Sequence, residues 1–301
     1  MALKITRATD PITVERLNVC IYGQPGAGKT SLAFTASRPL LLDFDQGAHR
    51  AAGRKDTVQV KQWNDVASIA EGDLATFDTI IVDTAGRALD CLATDIMRRN
   101  PKAGRGGALT LQGYGTLKAE FVAFLKLLNG FGKDVVLIAH MDEQRNGDDI
   151  IERLDVQGGS KGEIYKAADA MGRVFVKGGI RQLDFSPREG SFGKNPGQLD
   201  VLEIPHPDRD PAFLATVIQS IKDKLNTLTA EQAEMQGEIE KWRLAVADVT
   251  DAAGVNGLVA DAHGKPNAIK ALVVAKAAAL GLQFDSKAKQ YVDPVPQDEA
   301  A

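Results

Sequence analysis

The chain of 301 residues is 44% apolar, 25% charged and 6% aromatic, an ordinary globular composition with ample length to bury a core without metal or disulfide staples. Of the 40 acidic and 36 basic side chains behind the formal charge of −4, 11 and 7 respectively fall in residues 228–301, so residues 1–227 carry 29 of each. That balance excludes a generally basic nucleic-acid binder, and any contact with a polyanion must come from local patches. Two cysteines, Cys20 and Cys91, exclude a disulfide framework, and the four histidines show no metal-ligand spacing. The opening residues lack the apolar segment of a secretory signal, and no apolar stretch approaches the roughly 18 residues of a bilayer span, so a cytoplasmic protein without membrane contact is expected.

In chain order, residues 17–22, 40–44, 79–82 and 135–139 are short, nearly continuous apolar runs, the pattern of buried parallel strands. Between them, residues 30–37, 63–72 and 114–129 read as helical, the last through Leu117, Phe121, Phe124, Leu125 and Leu128. This alternation predicts an α/β fold with a mainly parallel sheet. Residues 97–108 hold Arg98, Arg99, Lys102 and Arg105 with no acid and with four Gly or Pro, which predicts a mobile cationic loop, either simply solvated or phosphate-binding. Beyond residue 139, the apolar runs 174–176, 182–185 and 199–204 are separated by Gly/Pro turns, so the sheet is expected to end in antiparallel strands. Residues 213–225 read as a closing helix. From Thr229, a candidate N-cap, the chain turns helical over 233–249 and 267–280. The expected organisation is a core over 1–227, a small helical module over 228–292 and a disordered acidic tail over 293–301.

The chemistry concentrates at residues 23–31. Gly23, Gln24, Pro25, Gly26, Ala27, Gly28, Lys29 and Thr30 match G-x-x-x-x-G-K-[ST], followed by Ser31, between an expected strand and an expected helix. Glycines let the backbone wrap a phosphate so that successive N–H groups point inward, and the following helix start adds positive charge. Lys29 supplies a point charge for the β- and γ-phosphates of ATP, and Thr30 a hydroxyl ligand for Mg²⁺. Asp83, at the end of the apolar run 79–82, is the acid expected to complete the magnesium shell. Asp43 and Asp45 follow the run 40–42, and Asp45, nearer the mouth of the sheet, is the better placed to activate water, though 45–47 also reads as a turn. His140, the polar end of the next run, is either a phosphate sensor or a structural histidine.

In order and spacing these features resemble the RecA superfamily, and more specifically the RecA-core annealing proteins of bacteriophages, over about residues 12–225. The stretch GQPGAGKT resembles the family Walker A, LLLDFDQG the strand whose terminal acid activates water (Asp45), TIIVDTAG the Walker B (Asp83), and VVLIAHMDEQ the strand whose terminal polar residue contacts the γ-phosphate (His140, where Gln is common). By position, residues 98–107 and 145–166 resemble the two DNA-binding loops, which implies phosphate contacts by Arg98, Arg99, Lys102, Arg105 and Lys161. Arg188 and Lys194 lie where the family keeps cations that act across a protomer boundary. The resemblance implies a Mg²⁺-dependent ATPase that binds single-stranded DNA, self-associates into a ring or filament and promotes annealing or strand exchange in a bacterial host cytoplasm. The net acidity of residues 228–301 points that module to a protein partner, with a single-strand-binding protein as the candidate. The same Walker residues would equally serve a P-loop ATPase acting on a protein client as a loader, partition or packaging motor, or a protein that uses ATP as a structural ligand.

Overall fold

Successive side chains of a strand point to opposite sides, and the apolar runs of this chain fill both. On one face Cys20, Tyr22, Leu42, Ile80, Val82 and Leu137 pack together, and on the other Val19, Ile21, Leu41, Ile81, Val136 and Ile138 do so. The computed structural model describes residues 3–146, 149–156 and 161–294, with the side chains of all of these except 145, 146, 149, 150 and 161. It divides into two units, Val14–Leu225 and a second made of Met1–Thr13 with Asn226–Ala301.

The first unit runs β1 (Asn18–Gly23), α1 (Lys29–Ala33), β2 (Pro39–Asp43), β3 (Thr57–Gln59), α2 (Asn64–Ala67), β4 (Thr79–Asp83), α3 (Ala85–Arg99), β5 (Gly104–Arg105), β6 (Ala108–Leu109), α4 (Leu111–Gly130), β7 (Asp134–Asn146), β8 (Asp149–Leu154), α5 (Lys161–Ala167), β9 (Ala170–Lys177), β10 (Ile180–Asp184), β11 (Leu202–Glu203) and the start of α6 (Phe213–Ala247). The main sheet has the order β11-β10-β9-β1-β7-β4-β2-β3, with β8 against β7 off this path. Strands β9 through β3 in that order are parallel, while β10, β11 and β8 pair antiparallel. Leu89, Leu92, Phe121 and Leu125 of α3 and α4 cover one face, and Leu32, Leu214, Ile218 and Ile221 of α1 and α6 the other. This mixed α/β sheet with antiparallel margins is the fold class that the alternating runs predict.

Four expectations are corrected. First, β7 continues from 139 to Asn146 and returns as β8, in the register Met141↔Leu154 through Asn146↔Asp149. The polar residues after His140 hid this arm, because it extends past the helices that bury the rest of the strand. Second, the cationic stretch 97–108 is not a loop: Arg98 and Arg99 form the last turn of α3, and β5 and β6 make a hairpin whose turn, Gly106 (φ 60) and Gly107 (φ 81), needs the left-handed backbone glycine allows. Third, α1 is shorter than the expected 30–37, since Thr35 is diverted to α6, its Oγ1 accepting from Leu214 N at 3.0 Å. Fourth, Thr229 is no N-cap; α6 runs through it unbroken, with its Oγ1 3.0 Å from Asn226 O.

In the second unit the later part of α6, α7 (Ala252–Asp261) and α8 (Asn267–Ala279) bury Val246, Val255, Ile269, Val273 and Ala277. A hairpin of β12 (Gln283–Asp285) and β13 (Gln290–Val292) is held to α7 by the Asn256 amide, which donates to Tyr291 O at 2.8 Å and accepts from Tyr291 N at 2.7 Å. Of the acidic tail, residues 295–301 lie outside those described.

Asp134 joins three elements of the first unit. Its carboxylate accepts from Leu17 N just before β1, at 2.7 Å, and from Lys222 Nζ of α6, also at 2.7 Å, where the lysine side chain is only 12% exposed. Asp134→Ala leaves that ammonium buried without its counter-charge and is expected to cost about 3 kcal/mol, measured as a lower urea midpoint for the first unit.

Candidate active site

Strand register brings the expected residues to one edge. Gly23, the last residue of β1, pairs with His140 of β7; Asp83, the last of β4, pairs with Ile138 of β7 and with Asp43 of β2. All lie at the carboxyl ends of parallel strands, where ligands of open α/β sheets bind. Gly23 must be glycine, because a Cβ there would collide with the backbone oxygen of Val174 in β9. Residues 24–28 then turn, through Gly26 (φ 79) and Gly28 (φ 82), into α1.

Lys29 is 4% exposed, and its Nζ donates to Gly23 O and Gln24 O, each at 2.9 Å, and lies 3.4 Å from His140 Nδ1. Burial lowers its pKa to about 8, against the opposing pull of Asp83 and Asp45. Thr30 Oγ1 donates to Asp83 Oδ2 at 2.7 Å. Asp83 is buried, and that burial, opposed by the Thr30 hydrogen bond and reinforced by Asp43 and Asp45, raises its pKa to about 6. Burial and the Lys29 charge lower that of His140, so the imidazole is neutral at pH 7.

The two acids after β2 separate in role. Asp43 is fully buried and accepts from Gly47 N and Ala48 N, both at 3.0 Å, so it shapes the turn. Asp45 keeps 27% of its side chain exposed and lies 3.5 Å from both Arg50 and Arg87. Arg87, in the first turn of α3 with its backbone N donating to the Thr84 cap, was not singled out from sequence, because an arginine in a helix carries no motif. Gln24 Nε2 donates to Glu143 Oε1 of the β7–β8 arm at 3.0 Å, a second contact that the pattern did not reveal.

The AAA domain family matches residues 15–196, more than half of the chain. The chain belongs to the AAA domain family. It is a P-loop nucleotide-binding ATPase by family, and its mostly parallel sheet fits a RecA-like core. No curated protein matches the sequence significantly. Among the described residues, no helix of this family member is long and apolar enough to cross a membrane.

The remaining expected residues lie apart from this cluster. Asp95, itself buried, takes Arg98 and Arg99 at 2.6 Å each, and Arg99 also reaches Glu120 at 2.7 Å, so these two charges are internally compensated. Lys102 and Arg105 are exposed on the turn after α3 and on β5, and form no ion pair among the described residues. Lys161 opens α5, but its side chain and residues 157–160 lie outside those described. Arg188 pairs with buried Asp184 at 2.6 Å. Lys194 Nζ donates to Tyr165 O and Ala168 O, both at 2.6 Å, at the end of α5.

The raised pKa of Asp83 has a measurable consequence. Between about pH 4 and pH 6 the folded chain holds a proton that the unfolded chain has released, so this group's contribution makes stability fall as pH rises through that window. Asp83→Asn removes this contribution; thermal melts without nucleotide should show the mutant gaining relative to the wild type from about pH 4 to about pH 6, with a constant difference above that.

Proposed function

We propose that this protein is a Mg²⁺-dependent ATPase of the RecA-core type that binds single-stranded DNA and promotes annealing or strand exchange as a ring or filament. The observation that carries the reading is the continuity of β7: the strand whose His140 lies beside Lys29 runs on into the β7–β8 arm, which the P-loop also contacts through Gln24 and Glu143. A change at the phosphate site therefore has a short mechanical route to the segment proposed to meet DNA.

The donors present suit magnesium nucleotide. Thr30 and Asp83 already share a hydrogen bond, and Mg²⁺ is commonly held by one or two protein oxygens with substrate phosphates and water supplying the rest. Bound there, the ion would neutralise phosphate charge. Lys29 would exchange its two carbonyl partners for phosphate oxygens. Asp45, held between Arg50 and Arg87, would accept a proton from the attacking water, and neutral His140 would report on the terminal phosphate. Arg188 is the cation proposed to act across a protomer boundary. For DNA, the compensation of Arg98 and Arg99 shifts the proposed phosphate contacts to Lys102, Arg105 and Lys161. That same compensation favours, as the second reading, an ATPase that acts on a protein client.

Fluorescence anisotropy of a labelled single-stranded oligonucleotide separates the two. The first reading expects nucleotide-dependent binding that is lost in Lys29→Ala, and a salt slope reduced by about 0.7 for each of Lys102→Ala and Arg105→Ala. No binding in any nucleotide state would leave the second. In steady-state assays, Asp45→Asn should lower ATP turnover by about 100-fold or more with nucleotide affinity little changed.

A further inference from the structure

Among the left-handed glycines of the P-loop, Gly26 faces open space, whereas Gly28 faces a guanidinium. A Cβ at Gly28 would collide with Arg181 Nη1, and would lie 3.6 Å from its Cζ and 3.7 Å from its Cδ. The sheet sets this contact. Arg181 is on β10, paired with Val176 of β9 and holding Ile204 N on its carbonyl at 2.8 Å, so its backbone is fixed on both sides. Leu183, two residues on and therefore on the same face, packs in the cluster with Leu32 and Phe34 around α1. Arg181 is thereby directed to Gly28 at the start of α1, in the loop that the G-x-x-x-x-G-K-[ST] pattern assigns to phosphate.

The charge of Arg181 is unspent. Among the described residues no carboxylate pairs with it, and its hydrogen-bond partner, Pro205 O, is at 3.5 Å, the outer limit for such a bond. Arg188 on the following turn and Arg173 on β9 each have a carboxylate, Asp184 and Glu152 respectively. A half-buried guanidinium without counter-charge is costly unless a ligand supplies the charge.

We propose that Arg181 is a phosphate ligand of the bound nucleotide, supplied by the same protomer that supplies the P-loop and acting on the polyphosphate chain rather than on the base. The assignment rests on the nucleotide-binding reading above and extends it to a residue outside the motif. It also gives the antiparallel margin of the sheet a part in nucleotide affinity.

The test is a titration of the full-length protein with a fluorescent ATP analogue, then displacement by ATP, GTP and inorganic tripolyphosphate, for the wild type, Arg181→Ala, Arg181→Lys and Lys29→Ala. Thermal melts without nucleotide check folding. The expected result is that Arg181→Ala keeps the wild-type melt but binds all three competitors about 10- to 100-fold more weakly, with part of the loss restored in Arg181→Lys. Wild-type affinities in Arg181→Ala would overturn the assignment, as would a loss for ATP and GTP that spares tripolyphosphate. If Arg181→Ala fails to fold, Arg181→Lys decides: it should bind all three competitors more weakly than the wild type, because a point charge cannot reproduce the guanidinium fork, and equal affinities would overturn the assignment. A wild-type protein that bound no nucleotide would instead overturn the reading on which the assignment rests, whereas binding lost in Lys29→Ala and intact in Arg181→Ala would overturn the assignment alone.

Discussion

A hydrogen bond of 2.7 Å between Thr30 and Asp83 spans the carboxyl edge of the sheet, from the helix that follows β1 to the end of β4, with β7 between those strands. It requires that α1 begin at Lys29 directly after the glycine turn, and that β1, β7 and β4 stay in the register that sets Gly23 beside His140 and Asp83 beside Ile138. A slip in either pairing would part hydroxyl from carboxylate and leave a buried acid with one partner fewer. Packing on both faces of the sheet holds that register, so the site inherits its geometry from the apolar alternation of four short strands.

At the adjacent ends of β2 and β4, three aspartates show how environment divides one type of side chain. Asp43 is spent on two backbone N–H groups, Asp83 on a threonine hydroxyl, and Asp45 on two flanking arginines while still open to water. Only the last keeps part of its side chain open to water, with an arginine on either side. Asp83 is held in a dry setting that favours its neutral form, a penalty that a divalent cation would reverse.

The cations divide in the same way. Arg98, Arg99, Arg188 and Lys194 have partners within the fold, the first three carboxylates and the last the end of a helix. Lys102 and Arg105 stand exposed without ion pairs among the described residues, and Arg181 lies against Gly28 of the phosphate loop. Counting basic residues along a segment thus overstates the charge offered to a polyanion, because helical neighbours such as Asp95, three and four residues before Arg98 and Arg99, neutralise part of it.

How far this could be read from the chain depended on the range of the forces involved. Short apolar runs, the glycine spacing of residues 23–30 and an acid closing an apolar run are local patterns, and they determined the parallel core, the phosphate loop and the positions of Asp45, Asp83 and His140. The β7–β8 arm and the long α6 escaped because polar sequence does not mark where a strand or helix continues once it leaves the core. The helical setting of Arg98 and Arg99, the diversion of Lys194 to the end of α5, and the approach of Arg87 and Arg181 to the site were decided only by tertiary structure. Each depends on a partner brought near by the folded chain, and such contacts leave no periodic trace in the sequence.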